Sequence, residues 1–82
     1  MDIDKYEEAA RIAQKISFAF EDHYYDEKKR NIFIALFNKY LLSADPTGTL
    51  EPYEAIIVLG RQSPPEFDQM VKEMKDRELI SD

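Results

Sequence analysis

The sequence predicts an all-α fold, a compact four-helix bundle in one domain that spans residues 1–82. Apolar residues recur at spacings of three and four along most of the chain, which is the period of a helix with one buried face. Turn and capping residues divide the chain into four such segments, at about residues 4–24, 27–43, 52–61 and 64–78. A chain of this length can fold alone on a single hydrophobic core.

The first helix carries one apolar stripe and one aromatic residue that lies away from it. The stripe consists of Tyr6, Ala9, Ala13, Ile16, Phe20 and Tyr24. At 3.6 residues per turn, Phe18 falls in the middle of the opposite, charged side. We expect Phe18 to be an ordinary exposed ring, a ring covered by a later segment, or the anchor of a partner contact. In the last case Glu7, Glu8 and Asp22 are the predicted charged residues around the anchor.

The second helix follows a charge-dense break, EDHYYDEKKR, in which the single histidine, His23, is expected at a solvated corner. The next segment, NIFIALFNKYLL, has nine apolar residues in twelve. One face of its helical wheel consists of Phe33, Leu36, Phe37 and Tyr40, and Ile34 and Leu41 extend it. A helix this apolar is usually enclosed by its neighbours. We therefore predict that it is the central core element.

The third helix, PYEAIIVLGR, is apolar all round. Its short length leaves helix and strand open, and the lack of a credible strand partner elsewhere favours helix. Gly60 is expected either to end this helix or to provide a point of close packing.

The fourth helix has the strongest start signal in the chain, Ser63-Pro64-Pro65-Glu66. Ser63 is the predicted cap, proline occupies the first helical position, and Glu66 can complete a capping box. The core face of this helix is predicted from its spacing to be Phe67, Met70, Val71 and Met74. Leu79 and Ile80 are expected to dock back onto the core.

The stretch between the second and third helices, SADPTGTLEPYE (residues 43–54), has two interpretations. In the first it is a helix–helix turn. Asp45-Pro46-Thr47-Gly48 has the residues that a type I turn prefers at its first, second and fourth positions. Thr49 or Glu51 can then cap the next helix, with Pro52 in its first turn.

In the second interpretation the same stretch is a twelve-residue calcium loop. A loop of the EF-hand type places oxygen ligands at positions 1, 3, 5, 7, 9 and 12 and glycine at position 6. Counted from Ser43, the ligand positions hold Ser43, Asp45, Thr47, Thr49, Glu51 and Glu54, and Gly48 stands at the bend. Residues 33–78 therefore resemble a helix–loop–helix of the EF-hand, calmodulin-like family, which implies calcium binding. The loop departs from the family by Ser43 at its first position, and a count from Asp22 gives no second loop.

The composition limits the classes of partner and compartment. With 17 acidic and 11 basic residues the net charge is −6, which disfavours direct binding to nucleic acid or anionic membranes. A basic protein is the expected partner. The absence of cysteine excludes disulfides and cysteine-based zinc sites. The start, MDIDKYEE, lacks the apolar region of a signal peptide, and no apolar run is long enough to span a bilayer, so a cytoplasmic location is expected.

The sequence offers little for catalysis. One histidine, no cysteine and two glycines twelve positions apart provide neither a nucleophile with its base nor a phosphate-binding loop. We expect no enzyme and no cofactor. The predicted function is a small acidic protein-interaction module, an adaptor or an inhibitor or antagonist of the phage- or plasmid-encoded kind. The alternatives are a degenerate EF-hand calcium-binding module and a structural helical protein that forms homo-oligomers.

Overall fold

The computed structural model describes residues 2–81, and the side chains of residues 7–81. It confirms the all-α class: the described residues form four helices and no strand. The helices are α1 (Asp2–Asp22), α2 (Glu27–Tyr40), α3 (Pro52–Gln62) and α4 (Pro64–Asp76). The observed ends lie within three residues of the predicted ones. Tyr6, the first residue of the predicted stripe, lies outside the described side chains.

The most extensive contact in the bundle joins α1 to α3, and small residues make it possible. Ala9 and Ala13 of α1 and Ala55 of α3 are buried. A Cβ atom at Gly60 would lie 2.9 Å from the Cβ of Ala9, a distance that real Cβ atoms essentially never show. Gly60 is therefore the point of close packing, one of its two predicted roles. It does not end α3, which continues to Gln62.

The prediction that the second helix is the central core element is wrong. The main contacts of the described helices follow the order α1, α3, α4, α2, so α2 lies at one side of the bundle against α4. Phe33, Leu36 and Tyr40 are buried as predicted, but Ile34, which was expected to extend that face, is exposed. The apolar residues of α2 surround the helix, and its neighbours cover only part of that surface.

Aromatic rings fill the space between α1 and α2. The ring of Phe20 lies 5.5 Å from that of Phe33 and 5.4 Å from that of Phe37. His23 stacks on Phe33 with 6.5 Å between ring centroids. His23 lies at the expected corner, in the turn after α1, but it is only partly exposed because one face of its ring packs on Phe33. Tyr24 is exposed, contrary to its place in the predicted stripe, because α1 ends at Asp22 and the helical period ends with it.

The link between α3 and α4 is the single residue Ser63, which takes part in both helix ends. Its N–H donates to the carbonyl of Leu59 at 2.8 Å, and its carbonyl accepts from the N–H of Phe67 at 3.0 Å. Ser63 is the N-cap residue of α4 as predicted, but its side chain makes no capping hydrogen bond. The predicted capping box with Glu66 is therefore not formed. In a capping box the Glu66 side chain would accept from the Ser63 N–H, but this N–H already donates to the Leu59 carbonyl at the end of α3.

The chain after α4 turns back onto the core, as predicted. The N–H of Leu79 donates to the carbonyl of Met74 at 2.9 Å, and that of Glu78 to Lys75 at 3.0 Å, the hydrogen-bond pattern of a Schellman motif. Glu78 adopts the left-handed conformation at φ 60°, where glycine is usual. This reversal buries Leu79 and Ile80 against the core that contains Met70 and Met74.

A polar group joins α2 to α4 at the edge of the core. The hydroxyl of Tyr40 donates to Glu73 Oε2 at 2.6 Å, and Lys39 Nζ lies 3.1 Å from Glu73 Oε1. The hydrogen bonds from Tyr40 and Lys39 hold the pKa of Glu73 below its ordinary value. Desolvation, followed by the bond to Glu73, raises the pKa of Tyr40. The group lets the tyrosine ring be buried while its hydroxyl keeps a charged acceptor.

No helix in the described part of the chain is both long enough and apolar enough to cross a membrane.

The close contact at Gly60 predicts that Gly60→Ala destabilises the fold. A helical Gly→Ala change normally stabilises by about 1 kcal/mol, but the new methyl group would overpack α1 against α3. We expect a net loss of about 1–2 kcal/mol in the free energy of unfolding, measured by urea denaturation. The double variant Ala9→Gly, Gly60→Ala should recover most of the loss that Gly60→Ala causes. An unchanged or raised urea midpoint for Gly60→Ala would contradict the contact.

The group at Glu73 predicts a dependence of stability on pH. The pKa of Glu73 is lower in the folded state than in the unfolded state. The ionised carboxylate therefore contributes to the free energy of unfolding above the ordinary glutamate pKa of about 4.3. That contribution is lost as pH falls through the folded-state pKa. We expect Glu73→Gln to lower the urea midpoint at pH 7 and to have a much smaller effect at pH 3. Asp68→Asn, an exposed change on the same helix, is the control. Equal effects of Glu73→Gln at both pH values would show that its charge contributes nothing.

Candidate functional site

The last turns of α1 present an exposed aromatic side chain, that of Phe18. Phe18 is 57% exposed. It stands two residues after Ile16, which is fully buried. Two residues correspond to a rotation of about 200° around the helix axis. Because Ile16 points into the core, Phe18 points to the solvent side of the helix. None of the other helices covers the ring. Two of the three possibilities predicted for Phe18 therefore remain, an ordinary exposed ring and a partner anchor.

A groove on one side of Phe18 is lined by aromatic rings and carboxylates, and we call it the tyrosine groove. It has a volume of about 660 Å³ and lies between the end of α1, the loop that follows, and the start of α3. Its aromatic residues at the surface are Phe18, Tyr24, Tyr25 and Tyr53, and its charged residues are Glu21 and Glu51. No lysine, arginine or histidine side chain is among the described residues that line it. The groove is therefore both aromatic and negative.

Contacts within the chain hold Tyr24 in this groove. Its ring meets those of Phe20 and Tyr25 edge to face, with centroids 5.8 and 5.5 Å apart. The guanidinium of Arg30 lies 5.4 Å from the centroid of the Tyr24 ring and donates to the Tyr24 carbonyl at 3.0 Å. Tyr25, by contrast, is 92% exposed. The groove thus combines a positioned ring with one that is open to solvent.

A second groove lies on the other side of Phe18, and we call it the lysine groove. Its volume is about 710 Å³. The charged residues that line it are Lys15, Asp22, Lys29, Lys75 and Glu78, and His23 and the chain end near Leu79 complete it. Phe18 lines both grooves and so forms the ridge between them. The two sides of the ridge differ in charge.

The structure brings together only part of the predicted partner-binding set. Asp22 is exposed and lines the lysine groove together with Phe18. Glu7 is also exposed, but it lies eleven residues before Phe18 on α1, which is about 16 Å along the helix axis. Glu8 is also exposed but lines a separate depression near Phe67 and Lys72. If Phe18 is an anchor, Asp22 is an immediate neighbour, whereas Glu7 and Glu8 act at longer range.

Sequence reasoning missed the tyrosine groove itself. The pair Tyr24-Tyr25 in a charge-dense break was a usable signal, because two adjacent aromatic rings rarely both fit into a core from a turn. Tyr53 and Glu51 carried no such signal, since they reach the groove only through the packing of α3 against α1. Tyr24 was assigned instead to the buried stripe.

The residues of the possible calcium loop lie in a hydrogen-bonded turn. The N–H of Gly48 donates to the carbonyl of Asp45 at 3.2 Å, which closes the predicted turn. The Asp45 carboxylate accepts from the N–H groups of Leu50 at 2.9 Å and Thr49 at 3.2 Å, and from the Thr47 hydroxyl at 3.4 Å. These bonds, the one from Leu50 first, lower the pKa of Asp45.

The remaining oxygens of that stretch are dispersed. The Ser43 hydroxyl donates to the carbonyl of Tyr40 at 3.2 Å, and the hydroxyls of Thr47 and Thr49 lie 3.0 Å apart. Glu51 is the N-cap residue of α3, without a side-chain capping bond, and Glu54 lies in the first turn of that helix. Among the described residues no group of three or more histidine, cysteine, aspartate or glutamate side chains could hold a metal ion. Calcium binding stays a prediction of the sequence pattern.

Comparisons of the chain with protein-family models, with curated proteins and with solved structures gave no match. What this surface can bind is therefore inferred from its own residues and their arrangement. Exposed rings and carboxylates can bind a partner by apolar burial, by contacts between cations and aromatic rings, and by charge-assisted hydrogen bonds. The ridge at Phe18 and its two grooves form the candidate site.

Thermal melts test the calcium loop directly. Because the Asp45 carboxylate already accepts bonds from the loop backbone, we expect the same melting temperature in chelator, in millimolar calcium and in millimolar magnesium. A ligand that binds only the folded state raises the melting temperature by mass action. A calcium-specific rise of several degrees, abolished by Glu54→Gln, would instead establish Ser43–Glu54 as a metal loop.

Proposed function

We propose that this protein is a small acidic protein-interaction module, an adaptor or an inhibitor, that binds a basic partner protein through the Phe18 ridge. The observation that carries the proposal is the exposed Phe18 ring between two grooves. Interface anchors are typically aromatic side chains with a charged or polar rim that excludes water. The carboxylates of Glu21, Asp22 and Glu51 lie in the grooves beside this ring.

The net charge of −6 supports a basic partner. An excess of one sign of charge attracts partners of the opposite sign over several ångströms and raises the rate of encounter. The acidic residues farther along α1, Glu7 and Glu8, fit this long-range role, because they are exposed but lie away from the ridge. The proposal includes a cytoplasmic location, and it assigns the protein neither a catalytic reaction nor direct binding to nucleic acid or membranes.

Phe18→Ala tests the anchor. We expect this variant to weaken partner binding by tenfold or more, which is usual for an aromatic anchor, and to leave the melting temperature nearly unchanged because the ring is already exposed. The chain would be immobilised to capture a partner, and the affinity for the purified partner would then be measured. Leu42→Ala is the matched control, since Leu42 is 63% exposed and lies after α2, away from both grooves.

Charge-reversal variants and a measurement of self-association complete the test of the Phe18 ridge. Reversal of charge at Glu7, Glu8 and Asp22 should slow association and reduce its dependence on salt, with less effect on dissociation. A large fall in melting temperature for Phe18→Ala would show that the ring is structural. Equal losses for Phe18→Ala and Leu42→Ala would remove the ridge as the site. Light scattering that shows a larger mass at higher concentration, lost in Phe18→Ala, would favour the homo-oligomeric alternative.

A further inference from the structure

We propose that the tyrosine groove binds the guanidinium group of an arginine side chain on the basic partner. This inference rests on the proposed function and names the chemistry that one of the two grooves recognises. It follows from the clustering of exposed rings, from the charge of the groove, and from the planar, weakly hydrated form of the guanidinium group.

The exposed rings are gathered in one place. In the described part of the chain six large hydrophobic side chains are exposed, and four of them line the tyrosine groove: Phe18, Tyr24, Tyr25 and Tyr53. Single exposed apolar side chains are normal on a protein surface, so the notable feature is that four exposed rings share one groove. The groove also has the size of clefts that hold small ligands or side chains, about 300–1,000 Å³.

The charge of the groove selects a cation. Glu21 and Glu51 are the charged residues that line it, and no positive side chain of the described chain is among the lining residues. Arg30 contacts the Tyr24 ring without lining the groove, so the lining itself is negative. The faces of aromatic rings are also negative, so rings and carboxylates favour the same occupant. A neutral apolar side chain would leave the carboxylates without a partner, and an anion would be repelled by both.

Arginine suits this groove better than lysine. Its planar guanidinium stacks on aromatic faces, is more weakly hydrated than an ammonium group, and can donate two parallel hydrogen bonds to a carboxylate. The chain itself makes cation contacts with rings through both residue types, since the guanidinium of Arg30 lies 5.4 Å from the centroid of the Tyr24 ring and Lys39 Nζ lies 5.1 Å from that of the Tyr40 ring. The preference for arginine therefore rests on the planar, weakly hydrated guanidinium and its paired hydrogen bonds. Tyr25, Phe18 and Tyr53 offer further exposed ring surface in the same groove.

The test uses three short capped peptides that differ in one side chain. Each contains three arginines, three lysines or three citrullines separated by glycine, and citrulline keeps the shape of arginine without its charge. Binding would be followed by amide shifts in NMR spectra and by tyrosine fluorescence. The chain has no tryptophan, and three of its five tyrosines line the groove. We expect the arginine peptide to bind at least fivefold more tightly than the lysine peptide, and the citrulline peptide to cause no shift.

Variants then place the binding in the groove. Tyr25→Ala and Glu21→Gln should each weaken arginine-peptide binding at least fivefold, and both change exposed side chains, so the fold is expected to persist. The matched controls are Leu42→Ala for loss of an exposed apolar side chain and Glu66→Gln for loss of one negative charge outside the groove. Both controls should stay within twofold of the unaltered protein.

Three outcomes would overturn the inference. Equal binding of the arginine and lysine peptides, weakened as much by Glu66→Gln as by Glu21→Gln, would mean attraction by net charge alone. No shift of groove amides at millimolar peptide would mean that the groove binds no cation. Shifts of those amides with protein concentration alone would mean that a second copy of the chain occupies it. The first two outcomes would leave the proposed function untouched. That function is tested independently, by whether Phe18→Ala weakens partner binding.

Discussion

The contact between Gly60 and Ala9 is the constraint on which the rest of the structure depends. Because neither residue has a side chain larger than a methyl group, α1 and α3 approach closely at this point, and their contact is the most extensive one between the described helices. The contact also sets their direction. The start of α1 meets the end of α3 at Gly60, so the start of α3 lies beside the end of α1, where Tyr53 joins the tyrosine groove. The same packing that forms the core therefore assembles the candidate site.

The position of α2 depends on large side chains instead. The rings of Phe20, Phe33 and Phe37 hold it apart from α1, and the Tyr40–Glu73 hydrogen bond attaches it to α4. Rings of this size bury much apolar area without close approach of the backbones. A helix held in this way at one side of a bundle keeps an exposed apolar flank, which accounts for the exposure of Ile34.

The two grooves beside the Phe18 ridge differ in charge, although the protein as a whole is acidic. One side carries carboxylates and rings, and the other places three lysines beside Asp22 and Glu78. A partner segment that crosses the ridge would therefore meet a different electrostatic environment on each side. If the ridge binds a partner as proposed, this difference would favour one orientation of the bound segment over the reverse.

The sequence by itself determined the four helices, their limits to within three residues, the burial of Met70 and Met74, and the odd position of Phe18, and it offered the turn at Asp45–Gly48 as one of two interpretations. These follow from local chemistry, from the helical period and from turn preferences. Only the tertiary structure decided that α3 packs on α1, that α2 lies at one side, that His23 is half-buried, and that Tyr53 meets Tyr24 and Tyr25 in one groove. The physical reason is that periodicity shows which side chains share a helix face, whereas the neighbour that covers each face depends on how closely two backbones can approach, and that is set by residues far apart in the chain.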